Sequence, residues 1–338
     1  MQLLEVLRAL IADRRDLRLA AFSARRIDWA LASGLGPAMF RAVGADLSAP
    51  EAPGWTELEA ADLTARVLAA HQTSALLEVI DACRHHDIPI AVLKGMAVSE
   101  EYPLPYLRPM RDIDVLVPAH LVSATLEVCR QLGYVDDPSA APGAYDRHHH
   151  AAPLVHKSTG IWLEIHHRLF PTEAQPTGSD PFALDRVAAL TVTWDVHGRP
   201  VGRLSPELEV PYLASHWARS GKPIAEPGGV MGLLDIVMLS KRMTAQDWSL
   251  AYGNVEGSAA AHHLQVVLGY LAERRLLLGE GPVHEARRNA LLPYTERLAH
   301  AIIDRHIIDG WRPGGRLALR VVARFWDQVL RPPESDAA

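Results

Sequence analysis

Asp112 and Asp114 stand two residues apart in Arg111-Asp112-Ile113-Asp114-Val115-Leu116-Val117, a run that otherwise reads as a buried strand. Successive strand side chains point to opposite faces, so both carboxylates project the same way. Two like charges on one face, partly desolvated beside Val115, Leu116 and Val117, are costly to keep ionised unless a cation lies between them. A hard divalent metal is the natural partner. Carboxylate pairs of this kind hold Mg²⁺ (or Mn²⁺) when nucleotide phosphates supply further oxygens. The bland reading is that either aspartate caps a turn or pairs with Arg108 or Arg111, since Asp-x-Asp also arises by chance.

The neighbouring segments favour chemistry. Residues 88–93, Ile-Pro-Ile-Ala-Val-Leu, form a short β-prone run that stops at Lys94-Gly95-Met96, where a glycine permits close backbone approach to a phosphate. Downstream, Trp162-Leu163-Glu164-Ile165-His166 alternates like a strand and sets Glu164 and His166 on one face. A glycine turn, paired aspartates and a later strand-borne carboxylate thus follow one another. Arg108 and Arg111 flank the aspartates, where guanidinium groups can bind β- and γ-phosphates or simply neutralise Asp112. His166 can orient Glu164, meet a phosphate, or serve as a hydrogen-bonded structural histidine.

This order resembles the DNA polymerase β-like nucleotidyltransferase superfamily. Leu93-Lys94-Gly95, the Asp112–Asp114 strand, Leu132-Gly133-Tyr134, His148-His149-His150, Leu163-Glu164-Ile165-His166-His167, Leu234-Asp235-Ile236 and Asp247-Trp248 are similar to an uncharacterised bacterial nucleotidyltransferase family within it. The landmarks span roughly residues 60 to 275. The resemblance implies an α+β fold, a small mixed β-sheet nucleotidyltransferase core flanked by N-terminal helices and a C-terminal helical bundle. It implies a nucleoside triphosphate donor, ATP first, and Asp112, Asp114 and Glu164 as metal ligands and catalytic groups. Lys94, Gly95 and Met96 would lie against the phosphates. Met96 departs from the wider superfamily, in which a serine commonly follows the glycine, and the task of holding phosphate then shifts to Lys94 and nearby backbone amides.

Composition agrees with an enzyme. The chain has 338 residues, 49% hydrophobic and 22% charged, enough for a large core and two or three structural units. Its net charge of −6 makes nucleic acid an unlikely partner, because wide polynucleotide binders carry a basic excess. Cys83 and Cys129 sit in apolar helical contexts and read as reduced core thiols. No leader-like segment opens the chain and no apolar run is long enough to span a bilayer, so the expected location is cytoplasmic, without a membrane partner.

Three segments position the chemistry: an N-terminal helical region over residues 1–87, the core over 88–204, and a C-terminal helical domain over 205–338. Helical periodicity runs through Leu3, Leu7 and Leu10, and resumes after Pro50–Gly54 in a long helix with Thr56 as its expected cap. Pro118 closes the aspartate strand, and residues 121–132 read as a helix ended by Gly133. Residues 145–155 and 161–166 are expected to be two neighbouring strands, and residues 191–194 an edge strand or short arm. Ser205-Pro206-Glu207 starts the first C-terminal helix, with Ser205 as cap. Later helices carry Leu233 to Leu239, then Val266, Val267 and Leu271, and finally Leu317, Val321, Val322 and Phe325, before a loose tail at Pro332-Pro333.

Seventeen histidines raise a competing reading, a metal-dependent hydrolase. In a strand only His148 and His150 would share a face, and no His-Glu-x-x-His motif supports them. Tyr102 and Tyr106 stack on a base or anchor their loop, Lys241 and Arg242 reach a nucleotide or cap a helix, and Asp235 has a packing role. The reaction expected is transfer of a nucleoside monophosphate to a hydroxyl of a small molecule, peptide or protein, releasing pyrophosphate. The alternative is a degenerate member that binds a nucleotide or partner without chemistry.

Overall fold

Alternation along one strand divides the molecule into an apolar side and a polar side. The computed structural model describes residues 3–141, 143–146, 148–171, 180–220, 229–277 and 300. Helices α1 (Leu3–Ile11), α2 (Ala24–Ala32) and α3 (Gly36–Ala42) lead to the 31-residue α4 (Trp55–His85). The core follows as β1 (Ala91–Leu93), α5 (Lys94–Ser99), β2 (Asp112–Leu116), α6 (Val122–Gln131), β3 (Tyr134–Asp136), β4 (Leu154–His156), β5 (Trp162–His166), α7 (Leu184–Ala189), β6 (Thr191–Val196) and β7 (Arg199–Leu204). Helices α8 (Pro206–Ser220), α9 (Gly229–Ser240), α10 (Ala245–Val255) and α11 (Ala259–Glu273) complete the described chain.

All seven strands join one mixed sheet in the order β3-β4-β5-β2-β1-β7-β6. The fold is therefore α+β. At its centre β2 pairs in parallel with β5, Asp114 opposite Glu164 and Leu116 opposite His166, while β1 runs antiparallel to β2 with Leu93 opposite Asp114. Ile113, Val115, Leu163 and Ile165 face the other way. They are buried with Leu76, Val79 and Ile80 of α4 and Val128 and Cys129 of α6. Along α4, Leu58, Ala65, Gln72, Leu76, Val79 and Cys83 recur at helical spacing and form its buried stripe. Gln72 also donates to the Met110 carbonyl at 3.0 Å, tying this helix to the approach of β2. Both cysteines are free and buried, and burial pushes the Cys83 thiol up to about 11 and the Cys129 thiol to about 12.

A second apolar cluster joins α1–α3 to α8–α11, through residues such as Leu3, Leu7, Met39, Tyr212, Leu234, Val237 and Leu264. Lys241 reinforces it by donating to the Ile11 carbonyl at 2.7 Å. Among the described residues no helix is long and apolar enough to cross a membrane.

Several boundaries differ from expectation for local reasons. The first strand is confined to residues 91–93. Pro89 lacks the N–H that a longer ladder would need. The long helix starts at Trp55, and its N-cap is Gly54 with a φ of 88°, without help from the Thr56 side chain. Of residues 145–155 only 154–155 enter β4. Residues 143–146 form a turn, 148–149 a bend, and His150 makes an isolated bridge to His166. Residues 191–194 do form an edge strand, but it continues into a hairpin with β7. The two-residue turn His197-Gly198 has φ values of 51° and 80°, the pattern of a type I′ turn. Ser205 precedes α8, yet its hydroxyl is buried without a hydrogen-bond partner. The helix expected around Leu317–Phe325 and the Pro332-Pro333 tail lie outside the described residues.

Gly202 tests the tightness of this sheet. A Cβ there would stand 2.9 Å from the Ala91 Cβ, 2.9 Å from the Ile90 carbonyl oxygen and 3.0 Å from the Thr191 Cγ2. Gly202→Ala should therefore cost about 1–3 kcal/mol of stability through overpacking. Gly253, inside α10 with nothing near its would-be Cβ, should instead gain about 0.5–1 kcal/mol on replacement by Ala. Urea denaturation of the two variants checks the opposite signs.

Candidate functional site

Where β1 ends, Lys94 takes a left-handed backbone conformation with a φ of 50°. A residue with a side chain holds this geometry at a cost on the order of 1 kcal/mol, so something must repay it. The Lys94 ammonium donates to the Asp114 Oδ1 at 2.7 Å, and His166 Nε2 donates to the same oxygen at 2.8 Å. Asp114 and His166 are almost completely buried. Burial by itself would raise the Asp114 carboxyl, but the Lys94 charge and the His166 contact outweigh it and hold the group well below the usual carboxylate range.

Glu164 stands beside Asp114 across the β2–β5 ladder, its Oε2 3.4 Å from His166 Nε2 and 3.8 Å from His150 Nε2. Burial opposes its ionisation and the His166 contact favours it, with the balance lowered. Ligand atoms of Asp114, Glu164 and His166 fall within 4.8 Å of one another. The carboxylates of Asp114 and Glu164, with Asp112 two residues before Asp114 on the same face, suit a hard divalent cation such as Mg²⁺, while the His166 Nε2–H is taken by Asp114.

These groups line a cavity of about 500 Å³ between the polar face of the sheet and helices α8 and α9. Lys94, Gly95, Arg108, Arg111, Asp112, Asp114 and Glu164 all contribute to its wall, as do His148, His149, His150, Leu213, His216, Trp217, Gly232 and Asp235. The volume lies within the range typical of small-molecule and cofactor pockets. Its lining carries four carboxylates against Lys94 and two arginines, leaving one negative charge in excess when the imidazoles are neutral. Trp217 forms an aromatic wall. Its Nε1 donates to the Gly229 carbonyl at 2.7 Å, and a Cβ on Gly232 would lie 2.9 Å from its ring.

Several expectations need adjustment. Met96 is buried among Leu76, Val79 and Ile113 on the apolar side of the sheet and does not line the cavity. Gly95 is close to a cation, because its would-be Cβ would sit 3.0 Å from the Arg108 Nη1. Arg108 itself is held by Asp235 in a bidentate pair, Nε to Oδ1 at 3.0 Å and Nη2 to Oδ2 at 2.7 Å. Tyr102 donates to the same carboxylate at 2.7 Å, which makes it a buried anchor. Tyr106 lies under the Arg66 guanidinium, 4.9 Å from it. Lys241 and Arg242 face away from the cavity lining, bonded to the Ile11 carbonyl and to Glu101.

Sequence reasoning missed Asp235 as part of this wall and all three consecutive histidines as neighbours there. Asp235 had a legible signal: a lone charge inside the apolar run Leu233-Leu234-Asp235-Ile236-Val237 needs a buried partner. The histidines had none, because their convergence depends on a bend. Burial holds His149 down at about 2 and His150 at about 4, so both rings are neutral near pH 7.

The Lys94–Asp114 pair predicts a pH window. Asp114, depressed in the folded state, contributes stability above its unfolded pKa of about 4 that is lost as acid takes the pH through the folded value. Lys94 is raised despite burial, chiefly by Asp114, so its contribution is full below about 10.4 and declines only as the pH rises through its folded value. Near neutrality either Asp114→Asn or Lys94→Met should cost about 3–5 kcal/mol, since each strands a buried partner. The double variant should cost less than the sum. Denaturation of all four proteins across pH checks both the window and the coupling.

A model of a family described as uncharacterised nucleotidyltransferases matches residues 24–274. No curated protein matches the sequence. Among solved structures, ANT(2'')-Ia in complex with adenylyl-2''-tobramycin is similar at 13% identity and a TM-score of 0.37, over 54% of this chain and 97% of that one. An antigenic nucleotidyltransferase-like protein from Paracoccidioides brasiliensis aligns at 15% identity and a TM-score of 0.40, over 60% and 88%. The breadth of the family match, with its acidic strands folded into one cavity, shows that the chain belongs to this family and is a nucleotidyltransferase.

Proposed function

We propose that the cavity takes a nucleoside triphosphate, ATP first, with a divalent metal held by Asp112, Asp114 and Glu164, and transfers the nucleoside monophosphate to a hydroxyl acceptor. The observation that carries this reading is the lateral pairing of Asp114 with Glu164 on adjacent parallel strands, at the wall of a cavity that also presents Lys94 and Arg111. A bound Mg²⁺ or Mn²⁺ would supply charge neutralisation for the triphosphate and lower the pKa of the attacking hydroxyl.

The chain's own groups divide the remaining work. The acceptor oxygen forms a bond to the α-phosphorus while the bond to the pyrophosphate oxygen breaks, and the hydroxyl proton passes to a base. Glu164, partly exposed to the cavity, serves as the third metal ligand or as the base for that proton. Lys94 neutralises Asp114 and stands at the cavity wall, where its ammonium would also meet phosphate oxygens. Arg111, exposed at the start of β2, can meet the leaving pyrophosphate. Arg108, fixed by Asp235, contributes a positioned positive charge beside Gly95. His166 fixes Asp114 from below and so preserves the geometry of the acidic pair. The acceptor is a small molecule, peptide or protein hydroxyl, and Trp217 offers an apolar face for its body or for the base.

Calorimetric titration of metal-stripped protein with a nonhydrolysable ATP analogue, with and without Mg²⁺ or Mn²⁺, tests the proposal. Binding should require metal and should weaken at least a hundredfold in Asp112→Ala, with the fold retained by circular dichroism. Equal binding by the variant, or no binding by the natural protein to any of the four nucleoside triphosphates, would remove the metal and nucleotide assignment.

A further inference from the structure

His148, His149 and His150 converge on the cavity although they follow one another in the chain. Strand alternation would send the middle ring to the opposite face. The bend at 148–149 and the single bridge from His150 to His166 remove that alternation. Ring centroids lie 4.5 Å apart for His148 and His149, 4.2 Å for His148 and His150, and 4.8 Å for His149 and His150. One ring nitrogen from each falls within 4.8 Å of the other two.

Hydrogen bonding settles the tautomer of His150. Its Nδ1 lies 2.7 Å from the Ala151 carbonyl oxygen, which can only accept, so Nδ1 carries a proton and Nε2 is the ring atom that remains for a ligand. That nitrogen lies 3.8 Å from Glu164 Oε2, beyond hydrogen-bond reach. The Nδ1 atoms of His148 and His149 are also buried without a partner. A backbone carbonyl that orients one ring nitrogen and frees the other is the usual support of a metal-bound histidine.

We propose that His148, His149 and His150 form a site for a borderline divalent transition-metal ion of the zinc class. Three imidazole nitrogens match the set of protein ligands that holds Zn²⁺ with a fourth position open, and they also accept Co²⁺. Mg²⁺, which demands oxygen ligands, is a poor occupant. The site is distinct from the oxygen-rich position at Asp112, Asp114 and Glu164. The cavity would thus hold two cations of different chemistry side by side.

Metal-stripped full-length protein titrated with Co²⁺ in the absence of nucleotide tests this directly. One equivalent should bind and develop the visible ligand-field bands of a nitrogen-coordinated ion, displaced by Zn²⁺ but not by excess Mg²⁺. His148→Asn and His149→Asn, the two less buried positions, should each weaken Co²⁺ binding at least tenfold. Absence of a one-equivalent Co²⁺ complex in the natural protein, displacement of its bands by Mg²⁺, or bands unchanged in both variants would overturn the site. The natural protein's titration decides the matter even where a variant fails to fold. The bands should persist in Asp112→Ala, so this result is read separately from nucleotide binding.

Discussion

A buried carboxylate must be compensated, and Asp114 is the point at which this molecule meets that requirement. Its Oδ1 receives both the Lys94 ammonium and the His166 ring, from the turn after β1 and from the end of β5. Removing Asp114 from water would cost several kcal/mol if it were left alone. The compensation therefore fixes three strands in register, and it justifies the left-handed backbone of Lys94. Glu164 inherits its place from the same ladder, because a parallel register that seats His166 beside Leu116 necessarily seats Glu164 beside Asp114.

A second buried pair extends this constraint beyond the sheet. Arg108 precedes β2 and Asp235 lies in α9, separated by 127 residues, and their bidentate contact closes one side of the cavity. Tyr102 shares the carboxylate. The charged pair thus orients the helical layer on the sheet, while one apolar cluster joins that layer to α1–α3 and to Leu93 and Leu204 of the sheet. The two kinds of attachment have different consequences. Apolar burial tolerates small adjustments in geometry, whereas a forked guanidinium–carboxylate pair fixes orientation. Accuracy is therefore concentrated where the cavity walls meet.

Gly95 and Gly232 show how the same wall is kept narrow. Each lies against a large side chain, the Arg108 guanidinium in one case and the Trp217 ring in the other, at distances that a Cβ would violate. The glycine after β1 was read in sequence as a place for phosphate to approach. In the fold the group already there is a cation suited to phosphate, set beside that backbone by Asp235. The His148–His150 bend has a similar effect, bringing three neutral rings to a wall otherwise dominated by charges.

Much of the site was legible in the sequence because strand alternation is a local property. It placed Asp112 with Asp114 and Glu164 with His166, and the residues between them, Ile113, Leu163 and Ile165, face the core in the fold. Other features were not legible because they depend on partners remote in the chain or on local departures from regular structure. Met96 follows Gly95 in sequence but turns with α5 into the apolar layer. Asp235 acquires its role only when α9 meets the loop before β2. The hairpin of β6 and β7 carried a signal in His197-Gly198, whereas the bend at the histidines did not. By itself, then, the sequence determined which side chains share a strand face, since backbone stereochemistry sets that period. Only the tertiary structure decided which charges compensate one another and which rings converge, because electrostatics and burial act between whatever groups the packed elements bring together.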